Sequence, residues 1–262
     1  MAGLGGALLS PITANAADLI QPIIPAPAAP VVTVSGFYLR GDVGFSNQTV
    51  RTLDNALYST VPGGPGAVVH AQKGFDAAPI ADIGIGYKWN RWLRTDVTAE
   101  YRGGANFHGM DLFPVAGGGS GVDQYSATKS EWLFLANAYV DLGTWWCVTP
   151  FVGAGVGAAR NTISNFTDAG LNLPGAGGPP VASNARGATE SQWNFAWALY
   201  GGLAFDITPN LTVELSYRYL SLGNAHSGDL IAFDGTNTVY NPMKFKDLAS
   251  SDVRIGLRYL LN

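Results

Sequence analysis

Cysteine is almost missing from these 262 residues: Cys147 stands alone, which excludes an internal disulfide framework and a cysteine-rich zinc site. Charge is scarce too. Asp, Glu, Lys and Arg together make up 13% of the chain, about half the share usual in soluble domains. The net charge is −4 and no basic block occurs, which argues against a nucleic-acid partner. No run reaches the ~18–20 consecutive apolar residues of a membrane helix. That excludes helical spans but not a membrane β-structure, whose strands cross in ~9–11 residues. An apolar fraction of 47% excludes disorder, and the glycines lack the three-residue period of collagen. What is plentiful is glycine, 34 residues, and aromatic side chains, 11% with seven tryptophans.

The N-terminal segment reads as an export signal followed by a spacer. Leu4 to Ile12 is mostly apolar or small, and Ala14-Asn15-Ala16 has the small-x-small form of a signal-peptidase site. The basic start of such a signal is lacking, since no Lys or Arg precedes Arg40. Residues 1–16 are thus expected to be an atypical, shortened signal peptide and 17–35 a periplasmic tether, with QPIIPAPAAP (Gln21 to Pro30) extended and semi-rigid. Residues 36–262 are expected to form the folded domain.

From Phe37 onward the dominant period is two. Phe37, Leu39, Val43 and Phe45 alternate with Tyr38, Arg40, Asp42 and Gly44. Leu93, Thr95, Val97, Ala99 and Tyr101 alternate with Arg94, Asp96, Thr98, Glu100 and Arg102. Similar alternation marks Asp82–Tyr87, Glu131–Val140, Phe151–Gly157, Trp193–Asp206, Leu211–Tyr219 and Asp252–Tyr259. One face is so uniformly apolar and aromatic that it must meet lipid, with charged and small residues inside; backbone in hydrocarbon then demands closure. The expected fold is all-β, an eight-stranded antiparallel up-and-down transmembrane β-barrel.

The connections alternate in length. Those at Lys88–Arg91, Asp141–Cys147 and Ile207–Asn210 are short, whereas Ser46–Gly74, Gly103–Lys129, Arg160–Gln192 and Leu220–Leu248 are long and rich in Gly, Pro, Asn and Ser. This gives short periplasmic turns and four long outer loops without structure, with both termini periplasmic. Tryptophans gather at the strand ends and suggest a membrane-interface girdle: Trp89, Trp92, Trp145 and Trp146 at the periplasmic end, Trp132 and Trp193 at the outer end. Trp197 is placed less securely, periplasmic or mid-membrane.

Inward positions form a candidate lumen ion-pair core of Arg40, Asp42, Asp82, Arg94, Asp96, Glu100, Glu214, Arg218, Asp252, Arg254 and Arg258, with Glu131 near a rim. Unpaired buried charge is costly, so these either pair into a polar plug or line a narrow water-filled route. The inward glycines Gly84, Gly86, Gly153, Gly155 and Gly157 leave room for Arg and Tyr opposite. His70, His108 and His226 are expected in three separate outer loops, which offers no metal site, no catalytic site and no cofactor site. Gly153-x-Gly155-x-Gly157 lies within a strand and lacks the spacing of a nucleotide loop.

With these segments assembled, the chain resembles small outer-membrane proteins of alphaproteobacteria of the 25- and 31-kDa major surface antigen type, within the opacity-like porin family. The resemblance rests on Ala17-Asp18-Leu19 before a Pro-rich stretch, GFYLRGDVGFS (Gly36–Ser46), IGIGYKWNRWLRTDVTAEYR (Ile83–Arg102) and NAYVDLG (Asn137–Gly143). It also rests on TPFVGAGVG (Thr149–Gly157), LTVELSYRYLSLG (Leu211–Gly223) and the closing VRIGLRYLL (Val253–Leu261). It implies a non-enzymatic protein of the Gram-negative outer membrane, inserted by the barrel assembly machinery among lipid and lipopolysaccharide, that supports envelope integrity. It further implies attachment of the mature N-terminus, Ala17-Asp18, to peptidoglycan. The chain ends Leu261-Asn262 rather than on an aromatic, a departure from the usual assembly signal. Two other functions are compatible with the residues: a narrow passive porin, and a surface adhesin or receptor acting through the outer loops.

Overall fold

The computed structural model describes residues 35–261. The expected signal peptide and tether, with Ala17 and Asp18, lie outside the described residues, as does Asn262. The described chain forms one antiparallel sheet of eleven strands. They are β1 (Gly36–Asp54), β2 (Val69–Phe75), β3 (Ala78–Lys88), β4 (Leu93–Val115), β5 (Gly119–Asp141) and β6 (Val148–Leu173). β7 (Val181–Gly187), β8 (Glu190–Asp206), β9 (Leu211–His226), β10 (Leu230–Ala232) and β11 (Lys244–Leu260) follow.

The expected eight-stranded barrel is therefore corrected. The sheet runs β10-β7-β6-β5-β4-β3-β1-β11-β9-β8, with β2 attached to β4 alone and a further pairing between β6 and β8, so eleven strands stand where eight were expected. β6 is where it forks: residues 148–163 pair with β8, whereas Phe166–Asn172 pair with β7. Three of the four segments expected to be structureless supply the extra strands, and β1, β4, β5, β6, β9 and β11 continue into the four between them. The histidines move with them: His70 lies in β2, His108 in β4 and His226 at the end of β9.

The short turns have simple local causes. At Asn90 the side-chain oxygen accepts from the backbone N–H groups of Trp92 and Leu93 at 2.9 and 2.8 Å, which closes the β3–β4 turn. Thr208 Oγ1 does the same for Leu211, at 3.0 Å, between β8 and β9. This end, the turn end, also carries both ends of the described chain, since Leu261 N–H donates to the Phe37 carbonyl at 2.8 Å.

Two polarity regimes share the long strands. Near the turn end the outward residues are apolar and exposed, among them Phe37, Leu39, Ile83, Ile85, Val97, Val152, Phe195, Leu215 and Val253. The inward residues are buried Arg, Asp and Glu. Above Arg102 the order reverses. On β4, Ala105 and Phe107 are buried while Asn106 and His108 are exposed, and the reversal coincides with a register shift at Gly103–Gly104. The upper part has an apolar core in which Phe107, Phe75 and Phe166 each stack within 6.3 Å of Phe245. Lipid is the outer solvent below that level and water is the outer solvent above it.

Candidate functional site

The inner face below the reversal is a layered charge network. Nearest the turn end, Arg94 contacts Glu214 at 2.9 Å and Asp141 at 3.2 Å, and Arg258 Nε lies 2.9 Å from the same Glu214. Arg40 contacts Asp42 and Asp96 at 2.9 Å each and Glu214 at 3.4 Å. One layer up, Arg254 bridges Asp82 and Asp42. The next holds Arg218 against Glu100 and Asp252 at 2.6 Å. All eleven residues proposed from the sequence thus meet on one face in connected pairs.

Four participants were missed. Arg102, 0% exposed, joins Glu100 and Asp252 at 2.9 Å and Glu131 at 2.5 Å. It stands at the end of an alternating run, where its inward parity was legible. Lys129 is also fully buried; it contacts Glu131 and donates to Gln48 Oε1 at 2.9 Å, although its segment reads as loop. Asp141 pairs with Arg94 from within a segment that reads as a turn. Tyr139 accepts from Arg40 Nη1 at 3.0 Å, and its ring faces the Arg94 guanidinium at 4.4 Å.

The glycines opposite explain how such bulk is accommodated. A Cβ at Gly86 would strike the Tyr38 ring, and one at Gly153 would strike the Tyr139 ring. Filled this way, the inner face leaves a cavity of about 350 Å³ at the turn end, bounded by Arg258 and Lys88. A second, of about 430 Å³, opens at the far end among Asn55, Tyr58, Asp123, Tyr125, Asp168 and Asn184. The ion-paired layers and the phenylalanine cluster lie between them.

Asp111, fully buried near this upper cavity, accepts from Tyr58 Oη at 2.5 Å and lies 2.6 Å from His70 Nδ1. Burial pushes the Asp123 carboxyl up to about 6, helped by the charge of Asp111. Asp168 is pushed up to about 8 by burial and by both of those neighbours. Among the described residues no group of His, Cys, Asp and Glu has metal-holding geometry.

The tryptophans divide between two levels. Trp89, Trp92, Trp145 and Trp146 are exposed at the turn end, and Trp132 and Trp193 are exposed where the polarity reverses. Trp197 does not belong to the turn-end group: it sits mid-strand opposite Val156, its ring 5.6 Å from that of Tyr219. Between the two levels β4 spans Leu93 to Tyr101, the ~9–11 residues that cross a bilayer core.

A sheet with lipid outside, salt bridges inside and aromatic residues at two levels fits one setting. The chain matches the outer membrane protein beta-barrel domain over residues 20–259. It belongs to that family. This places the protein in the outer membrane of a Gram-negative bacterium, in a non-catalytic porin-type family and a lipid and lipopolysaccharide environment that it enters by assisted insertion. An uncharacterized protein of Brucella abortus is 32% identical over 284 residues, covering 97% of this chain and 95% of its own. A putative adhesin of Rickettsia typhi is 29% identical over 228 residues, covering 85% and 87%. Among solved structures, Neisserial surface protein A superposes with a TM-score of 0.46 at 16% identity, covering 87% of this chain and 99% of its own.

Proposed function

We propose that the protein is a surface attachment protein whose contact element is the raised outer part of the sheet. The carrying observation is a transverse row of register partners on its outward side: Val69 opposite Leu112, Leu112 opposite Val122, Val122 opposite Leu171, and Leu171 opposite Ala182. Val69, Leu112 and Leu171 are exposed. Leu112 lies eleven positions beyond Tyr101 on the same strand, roughly 35 Å along it, which is well clear of the hydrocarbon. A contiguous apolar stripe in water marks a contact surface. The relative described as a putative adhesin supports the same reading. The ion-paired inner face speaks against the passive porin.

The test is attachment. A non-adherent bacterium displaying the protein should bind cultured cells, and Leu112→Asp with Leu171→Asp should abolish binding while the folded protein persists in the outer membrane. Undiminished binding by that variant would overturn the reading.

In this orientation the turn end is periplasmic, and both ends of the described chain emerge there. That placement favours a second role for residues 17–35, a tether to peptidoglycan through Ala17-Asp18 after removal of residues 1–16, which supports envelope integrity. Within the family we place the chain with the 25- and 31-kDa major surface antigen type, on the segments Gly36–Ser46 and Ile83–Arg102.

A further inference from the structure

At the upper tryptophan level the outward wall carries a cation among uncharged residues. Arg160 on β6 is exposed, and its register partners on the two flanking strands are both tryptophans, Trp132 on β5 and Trp193 on β8. Two positions towards the turn end, Ala158 lies between Phe134 and Phe195, and the Phe134 ring stacks 6.2 Å from that of Trp193. Two positions the other way, Thr162 lies between Ser130 and Ser191, its Oγ1 2.9 Å from Ser191 Oγ. The wall therefore passes from bare aromatic surface, through a guanidinium between two indoles, to a row of hydroxyls, within three adjacent strands.

Among the described residues Arg160 has no acidic partner, and neither indole N–H of the flanking pair has an acceptor. The nearest carboxylate in register, Glu131, is one pair further out, but it is buried on the inner face against Arg102 and Lys129, and Glu190 is three pairs out. This is a cluster of donors without an anionic partner, standing at the level where hydrocarbon gives way to water. The guanidinium fork matches phosphate oxygens, and indole and hydroxyl donors add to it. Chains attached to such a phosphate would lie over Phe134 and Phe195.

We propose that Arg160, with Trp132, Trp193 and the Thr162 hydroxyl row, binds the phosphate of an outer-leaflet lipid headgroup. The leaflet assignment rests on the orientation proposed above; the site itself does not.

The test uses the refolded protein in phosphatidylcholine vesicles doped with phosphatidic acid whose acyl chains are brominated, which quench tryptophan on contact. Brominated phosphatidic acid should quench at a mole fraction about fivefold lower than brominated phosphatidylcholine, the gain expected of one cation at an anionic lipid. The advantage should vanish in Arg160→Gln and return in part in Arg160→Lys, both with the heat-modifiable gel mobility of folded protein. Equal quenching by the two lipids, or an advantage that survives Arg160→Gln, would overturn the proposal. Loss of the advantage on adding millimolar inorganic phosphate would also overturn it, since the site would then hold free phosphate rather than lipid. Because vesicles need no defined orientation, a reversed topology would be detected separately by thiol labelling of whole cells.

Discussion

Arg102 Nη1 and Asp252 Oδ2 lie 2.9 Å apart, although 150 positions separate them in the chain. The same guanidinium holds Glu100 and Glu131, so one side chain from β4 ties together carboxylates from β4, β5 and β11. Removing it leaves three buried carboxylates short of a partner, and breaking such a pair costs about 3–5 kcal/mol. Arg102→Ala should therefore lower the urea midpoint of the folded protein, read from the folded and unfolded gel bands. An unchanged midpoint would show that the network reorganises around the gap.

The wild-type protein in a planar bilayer should be electrically silent. Its two cavities are separated by the Arg40, Arg254 and Arg218 layers and by the phenylalanine cluster. Stable openings that change when Arg94 or Arg218 is neutralised would contradict a sealed inner face.

The upper cavity should loosen with rising pH. Asp123 and Asp168 are held above the ordinary carboxylate value of 3.8, at about 6 and about 8. In such a case the folded form binds protons more tightly than the unfolded one, so the stability gained is present below about pH 4. It is lost as pH climbs through the two folded values. Amide protection in Gln124–Ala127 and Phe166–Gly170, taken relative to the intrinsic exchange rate at each pH, should be lower at pH 8 than at pH 5, and Asp168→Asn should flatten that dependence. Protection that is independent of pH in the wild type would contradict the assignment.

Orientation has its own readout in Cys147, which is exposed at the turn end. On intact cells a membrane-impermeant maleimide should leave it unlabelled until the outer membrane is opened. Ser120→Cys in a Cys147→Ser background should be labelled at once. The opposite pattern would invert the topology.

The membrane-crossing portion was readable because its outward alternation is simple: Leu93 to Tyr101 shows its exposed apolar side in the sequence as it does in the structure. The same logic located the eleven ion-pair residues, since parity alone sends Arg94, Asp96 and Glu100 inward. Parity also marks Arg102, which closes the alternating run just before Gly103 and Gly104. The outer strands were lost for a different reason. There Phe107, Phe166 and Phe245 turn inward and polar residues outward, so an alternation expected to mean lipid outside carries the opposite meaning. Short β10, with three residues, and β7, set among glycines and prolines, offer little period to detect.

The reversal is built from local slips at comparable positions on several strands. β4 shifts register after Arg102, β6 takes a positive φ of 53° at Asn165, and β11 one of 54° at Asp247 beside its own register shift. Side-chain phase is reset at each of these points, so a one-residue insertion beyond them is absorbed before it can rotate the wall below. The part of the molecule above the reversal is thereby uncoupled from the part that faces lipid. Its surface is free to drift from one lineage to the next while the anchor beneath it stays in step.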